Sequence, residues 1–150
     1  MRLGRTFDAV LIHDAIMYMT TAGDLAAAIA TARDHCRPNG VLVLMPDCVT
    51  ESFEPETEHG GHDGPDRSLR YLEWSWDPDP SDTTFETLYA IALREPDGRA
   101  RVVEDRHTQG LFPRATWLAL LTAAGFSPTY VVDPWGRDVF VARLGAADRS

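Results

Sequence analysis

Phe7-Asp-Ala-Val-Leu-Ile-His-Asp-Ala-Ile-Met-Tyr-Met-Thr-Thr21 decides how the rest of the chain is read. Its first six residues are a short apolar run with β-branched content, bounded by charge. That pattern predicts a buried parallel strand running into a polar turn. Thr20, Thr21 or Asp24 can cap the helix that follows, and Leu25, Ile29 and the alanines between them give it a small-residue face. Pro38 disfavours helix at the residue before it, so the helix is expected to end near Cys36. Asn39-Gly40 then turns the chain into Val41–Met45, a second buried strand that closes on Asp47. Strand, helix and strand in this length favour a right-handed parallel crossover, as in the second half of an open, doubly wound sheet. Nothing upstream supplies a first half, so the chain is expected to open in the middle of such a fold.

The chain has 150 residues, enough for one domain with a real core. Its 44% hydrophobic and 25% charged residues are those of a globular protein in water. A net charge of −9 argues against binding nucleic acid or an anionic membrane surface, since both need excess Lys and Arg. No apolar run approaches the ~20 residues of a membrane span, and no secretory signal is evident. Two cysteines, Cys36 and Cys48, make no disulfide framework, and a reducing cytoplasm is the expected location.

Residues 48–68 crowd acids with Gly60, Gly61, Gly64, Pro55 and Pro65, and read as a loop. Three strand-like runs follow. Arg70–Trp76 alternates, with Leu72, Trp74 and Trp76 on one face. Thr83–Arg94 comes after the turn-rich Asp77-Pro-Asp-Pro-Ser-Asp82. Arg99–Gln109 comes after Glu95-Pro-Asp-Gly98, a strong hairpin signal. These predict a three-stranded antiparallel insert over 69–110, set into a core of 5–47 and 111–144. In the core, Pro113 suits the start of a helix with Trp117, Leu118, Leu120 and Leu121 on its inner face, and Gly125 ends it. Tyr130–Val132 and Asp138–Ala142 read as a closing antiparallel pair joined through Pro134-Trp-Gly136. The fold class is α/β: a partial Rossmann-like parallel sheet with an antiparallel insert, all within one truncated domain.

The order of these elements resembles the C-terminal half of class I S-adenosylmethionine-dependent methyltransferases. Phe7-Asp-Ala-Val with His13-Asp-Ala-Ile-Met-Tyr18 is similar to that family's fourth strand and the turn after it. Cys36-Arg-Pro-Asn-Gly-Val-Leu-Val-Leu is similar to its helix-to-strand turn. Leu111-Phe-Pro-Arg-Ala-Thr-Trp with Leu121-Thr-Ala-Ala-Gly-Phe126 is similar to its last helix. The insert is similar to the lid sheet of small-molecule methyltransferases, including the sugar N,N-dimethyltransferases. The resemblance implies S-adenosyl-L-methionine as cofactor and a small-molecule methyl acceptor. The chain departs from the pattern in one respect: no Gly-x-Gly occurs in it, and the acidic residue that holds the cofactor ribose has no counterpart. A backbone cradle for a nucleotide needs such glycines.

Ligands of open α/β sheets bind at the carboxyl ends of the strands. His13, Asp14 and Tyr18 fall there, and the resemblance places this turn beside the methionine part of the cofactor. The alternative is that His13 and Asp14 only cap the turn. Asp47 closes the second strand and points to the same edge, either toward substrate or as a solvated carboxylate. Alternation puts Asp105 and His107 on one strand face with Val103. A histidine beside a carboxylate can serve as a general base, and His107 is similar in position to an active-site histidine of sugar methyltransferases. Arg106, Tyr71 and Trp74 are candidate substrate contacts. The aromatic rings suit an apolar or cationic acceptor, or else pack the insert. His59-Gly-Gly-His62-Asp63, with Cys48 upstream, lacks the paired close ligands of a zinc site, so no metal is expected.

Two functions follow. One is a small-molecule methyltransferase represented by its C-terminal part. The other is a non-catalytic or partner-dependent domain that associates through an exposed sheet edge at Val10, Leu11 and Ile12, as a homodimer or with a chain carrying the missing half.

Overall fold

The computed structural model describes residues 2–146, which divide into two compact units: residues up to Phe53 together with those from Gly110 onward, and Glu54–Gln109. The first unit is a four-stranded mixed sheet. Its strands are β1 (Phe7–His13), β2 (Cys36–Met45), β7 (Phe126–Val132) and β8 (Asp138–Leu144), in the order β1-β2-β8-β7. β1 and β2 are parallel and β8 and β7 antiparallel, as the sequence predicts.

The helix between β1 and β2, α1 (Ala22–Asp34), begins at Thr21. The Thr21 hydroxyl oxygen accepts from the Asp24 N–H at 3.1 Å while its O–H donates to the Asp24 carboxylate at 2.7 Å. One orphan donor of the first turn is thereby satisfied, and the acid sits at the positive end of the helix. Leu25, Ile29 and Ala32, spaced by four and three, are the buried stripe. The helix stops two residues earlier than Pro38 alone implies, and Pro38-Asn-Gly lies inside β2 rather than before it. Between the pairs Phe7–Cys36 and Ala9–Val41 the register shifts, so Arg37–Gly40 bulge opposite Asp8. Asn39 takes φ 63° there, and a Cβ on Gly40 would come within 2.8 Å of the Arg37 carbonyl. Arg37 grips Asp8 with contacts of 2.8 and 3.0 Å.

The second core helix, α2 (Arg114–Ala123), follows Pro113 and ends at Gly125, whose φ of 87° only glycine adopts freely. Trp117 stacks on Phe140 of β8 at 5.3 Å and meets Phe112 edge-on. These rings, with Leu25, Ile29, Leu42, Leu44 and Leu121, form the core. Full burial of each large apolar side chain is worth about 2 kcal/mol. β1 is the edge strand of this sheet rather than a strand buried on both faces, and of the three residues expected exposed along it only Leu11, at 62%, is: Val10 and Ile12 pack on the core.

The second unit is an antiparallel sheet of four strands rather than three: β3 (Glu56–Asp63), β4 (Ser68–Trp76), β5 (Thr84–Arg94) and β6 (Ala100–Gly110), in that order. β3 lies within the stretch 48–68 that reads as a loop. It pairs with β4 through eight successive partners, from Glu56–Ser75 to Asp63–Ser68. Its residues are almost all exposed, so the backbone ladder rather than burial holds it, and it carries no hydrophobic alternation to announce it. Charges along such an edge also discourage further pairing.

Candidate functional site

Each unit carries a polar cluster. In the first, β1 ends at His13 and the next residue breaks the strand. Asp14 has φ 42° and ψ −56°, a conformation that costs an L-residue on the order of 1–3 kcal/mol. Its N–H is held by the Met45 carbonyl at 3.2 Å, and its own carbonyl accepts from Met17, opening a single 3-10 turn over Ala15–Tyr18. The backbone is thus pinned on both sides of the strained residue. His13 Nε2 lies 2.9 Å from the Asp14 carboxylate. Asp47, just past β2, is electrostatically coupled to the same carboxylate. Desolvation raises the Asp47 carboxyl above its ordinary range, the charge of Asp14 raises it further, and His13 and Arg137 act the other way. Three of the residues expected at the ligand edge, His13, Asp14 and Asp47, therefore form one connected group at the carboxyl ends of the parallel strands. Tyr18, half exposed, closes the 3-10 turn.

In the second unit, Asp105 and His107 project to one face of β6, with Nε2 of His107 3.2 Å from the Asp105 carboxylate. A carboxylate accepts and does not donate, so this contact suits a proton on Nε2. Two residues that sequence reasoning missed belong to the same face. The Tyr89 ring meets His107 edge-on at 5.5 Å, and the Tyr89 hydroxyl donates to Glu73 at 3.0 Å. One rung further along, Ser75, Thr87 and Gln109 join β4, β5 and β6 by contacts of 3.1 and 2.9 Å. The period-two spacing of Thr87 and Tyr89 in β5 is the signal that could have found them.

The remaining candidates do not all meet. Tyr71 lies over Gly60, its register partner, on the face of Glu73. Trp74 and Trp76 point the other way. Arg106 is with them: its guanidinium lies 5.2 Å from the Trp76 ring centre and 3.6 Å from Glu86. Trp74, Trp76, Leu88 and Thr57 line an open groove of about 470 Å³. Tyr71 and Trp74, adjacent in the sequence reading, are thus on opposite faces, and Arg106 is on the face opposite Asp105 and His107. His59 and His62, three apart on a strand, likewise face opposite ways. Among the described residues no group of three His, Cys, Asp or Glu is placed to hold a metal ion.

A parallel strand pair ending in a strained acidic turn, followed by an antiparallel insert and a closing hairpin, defines a class. No protein-family model matches the chain. Individual proteins do. The chain is 32% identical over 145 residues to dTDP-3-amino-3,4,6-trideoxy-alpha-D-glucopyranose N,N-dimethyltransferase of Streptomyces venezuelae, an alignment spanning 93% of this chain and 59% of that protein. The crystal structure of DesVI from Streptomyces venezuelae superposes with a TM-score of 0.85 at 28% identity, covering 97% of this chain and 61% of the other. The SAM-bound structure of CalS10, an amino pentose methyltransferase from Micromonospora echinaspora, gives 0.82 at 27% identity over 95% of this chain and 60% of the other. In sequence and fold, the chain corresponds to the C-terminal portion of class I S-adenosylmethionine-dependent methyltransferases.

Proposed function

We propose that this chain is the acceptor-handling portion of an S-adenosyl-L-methionine-dependent N-methyltransferase whose acceptor is the amino group of a nucleotide-linked deoxy sugar. The Asp105–His107 pair carries the proposal. The sugar specificity rests on the named relatives. The cofactor supplies a methyl carbon on a sulfonium. For an amine acceptor, the protein's task is alignment and removal of a proton, because a protonated amine has no lone pair to attack with. In this reading the His107 imidazole takes that proton, and the Asp105 carboxylate beside its Nε2 edge steadies the imidazolium that forms. His13, Asp14 and Tyr18 are the residues of this chain that would hold the methionine portion of the cofactor. The paired carboxyls at the strand ends suit a cationic group there, which is the sense in which the turn fits the cofactor. The nucleotide portion needs the glycine cradle that these residues do not include. Tyr71, on the same sheet face as His107, serves as an outer acceptor contact, whereas Trp74 and Arg106 lie on the opposite face, away from the base; neither Cys36 nor Cys48 is in a disulfide, which suits a reducing cytoplasm.

Titrating a nucleotide-linked amino sugar into the chain, with the imidazole nitrogens followed by NMR, tests the base assignment. The His107 signals are expected to shift, and Asp105→Asn to weaken the response. A His107 that does not respond to the sugar would overturn the reading. Calorimetry with S-adenosylmethionine is expected to show nothing tighter than about millimolar for this chain alone, and micromolar affinity would contradict that.

The exposed edge at β1 supports a second reading, in which the chain works only beside a partner that covers Leu11, either a second copy or a chain carrying a glycine-rich half-sheet.

A further inference from the structure

We propose that Gln109 binds the acceptor, its side-chain amide donating to a neutral oxygen there, a hydroxyl on the carbon next to the one that bears the amine. The inference deepens the functional reading above and rests on it. Gln109 is the last residue but one of β6 and follows His107 by two, so alternation places both side chains on one face of the strand. Two residues of strand advance about 6.8 Å. An amine and a hydroxyl on neighbouring carbons lie about one hydrogen-bond length apart, and each reaches one such length further. One sugar can therefore offer its amine to His107 and its hydroxyl to Gln109.

A chain of hydroxyls orients the amide. Thr87 of β5 is 2% exposed, so its O–H needs an acceptor within the protein. It donates to Gln109 Oε1 at 2.9 Å. The Thr87 oxygen is left to accept, and the Ser75 hydroxyl of β4 lies 3.1 Å from it. Donation thus runs from Ser75 to Thr87 to Gln109 and ends on the amide oxygen. The amide nitrogen points away from the hydroxyls and carries two N–H donors of its own. Among the described residues it donates to no group, and no fully buried side-chain nitrogen or oxygen lacks a partner. The nitrogen of this half-buried residue therefore reaches the surface with its donors available. Such donors take an oxygen and reject an ammonium. Glu73 and Asp105 stand on the same face, so a phosphate placed there would meet like charge, whereas a hydroxyl oxygen meets none.

The test uses the whole chain with 15N-labelled glutamine and histidine. The probes are two amino sugar nucleotides, one with a hydroxyl beside the amine and one deoxy at that carbon. The wild type is expected to bind the hydroxylated probe about fivefold or more tighter, and the Gln109 N–H signals to shift with that probe alone. Gln109→Glu keeps an oxygen to accept from Thr87 and loses both donors. It should melt at about the wild-type temperature and bind the two probes alike. Gln109→Met loses acceptor and donors together, so it should melt lower and also bind them alike. Comparing two probes on one variant cancels the effect of a new charge on the phosphates, which both probes carry. A wild type that binds both probes alike while His107 responds to them would overturn the Gln109 role alone. So would a Gln109→Glu that still favours the hydroxylated probe, since the residue would then serve only to join the strands. A His107 indifferent to both probes would overturn the functional reading beneath this proposal.

Discussion

Asp14 and Asp47 face each other at the ends of two parallel strands, where partial desolvation of Asp47 and the charge of Asp14 both oppose its ionisation. The pH consequence follows from the direction of the shift. A carboxyl raised in the folded state above its ordinary value of 3.8 favours folding while protonated, and that contribution is lost as pH rises through the raised value. At neutral pH the ionised Asp47 is therefore a burden on the fold. Asp47→Asn is expected to raise the melting temperature at pH 7 by up to about 3 °C, a modest gain because the residue is open to solvent. The gap should close below pH 3.8. Melting curves at both pH values check this, and an equal gap at both would contradict it.

A second acid faces a cation rather than another acid. Asp138 at the start of β8 is fully buried and is held by Arg114 of α2 through contacts of 2.6 and 3.1 Å. The Arg114 N–H is in turn accepted by the Glu51 carboxylate at 3.0 Å, which caps the helix from a distant part of the chain. Removing the cation strands a buried carboxylate, which costs far more than the pair gains. Arg114→Leu should lower the melting temperature by on the order of 10 °C. Arg114→Leu with Asp138→Leu should recover much of that loss. If the double variant is no more stable than the single, the burial argument fails.

Gly60 and Tyr71 give a third expectation. A Cβ on Gly60 would lie 2.7 Å from the Tyr71 ring, so the ring must swing away. Gly60→Ala is expected to destabilise the chain by about 1–2 kcal/mol in urea denaturation. In a Tyr71→Ala background the same change should be nearly neutral, because the collision is gone. Additive effects would show that the ring and the glycine are not in contact.

This glycine also explains what the sequence hid. The strands β4, β5 and β6, a helix cap among Thr20, Thr21 and Asp24, the stop at Gly125 and the parallel β1–β2 pair were all legible, because each rests on local pattern or backbone chemistry. β3 was not. Gly60 and Gly61 read as loop residues, yet here they make room for the Tyr71 ring and the Leu69 carbonyl of the neighbouring strand. An edge strand stabilised by its ladder leaves no hydrophobic signature. The candidate site was partly legible for the same reason. Alternation joined Asp105 to His107, but could not join either to Tyr89 and Glu73, whose link depends on the register between strands. Nor could residue spacing show that Asp47 returns to Asp14. Both were assigned to the same sheet edge without their mutual coupling.

The last expectation concerns the edge itself. β1 pairs with β2 on one side and lies at the end of the sheet, and Leu11 is 62% exposed beside the strand's unpaired backbone groups. Such an edge offers both hydrogen bonds and apolar surface to another chain. Sedimentation velocity over a rising concentration series should therefore show the 150-residue chain associating. Leu11→Lys should weaken that association by tenfold or more, since a lysine must surrender its hydration to be covered, about 1.4 kcal/mol per tenfold. The same change should leave the monomer's stability within about 0.5 kcal/mol, because the side chain it replaces is not part of the core. A chain that stays monomeric throughout would remove the edge from consideration. Association that survives Leu11→Lys would place the contact elsewhere on the molecule.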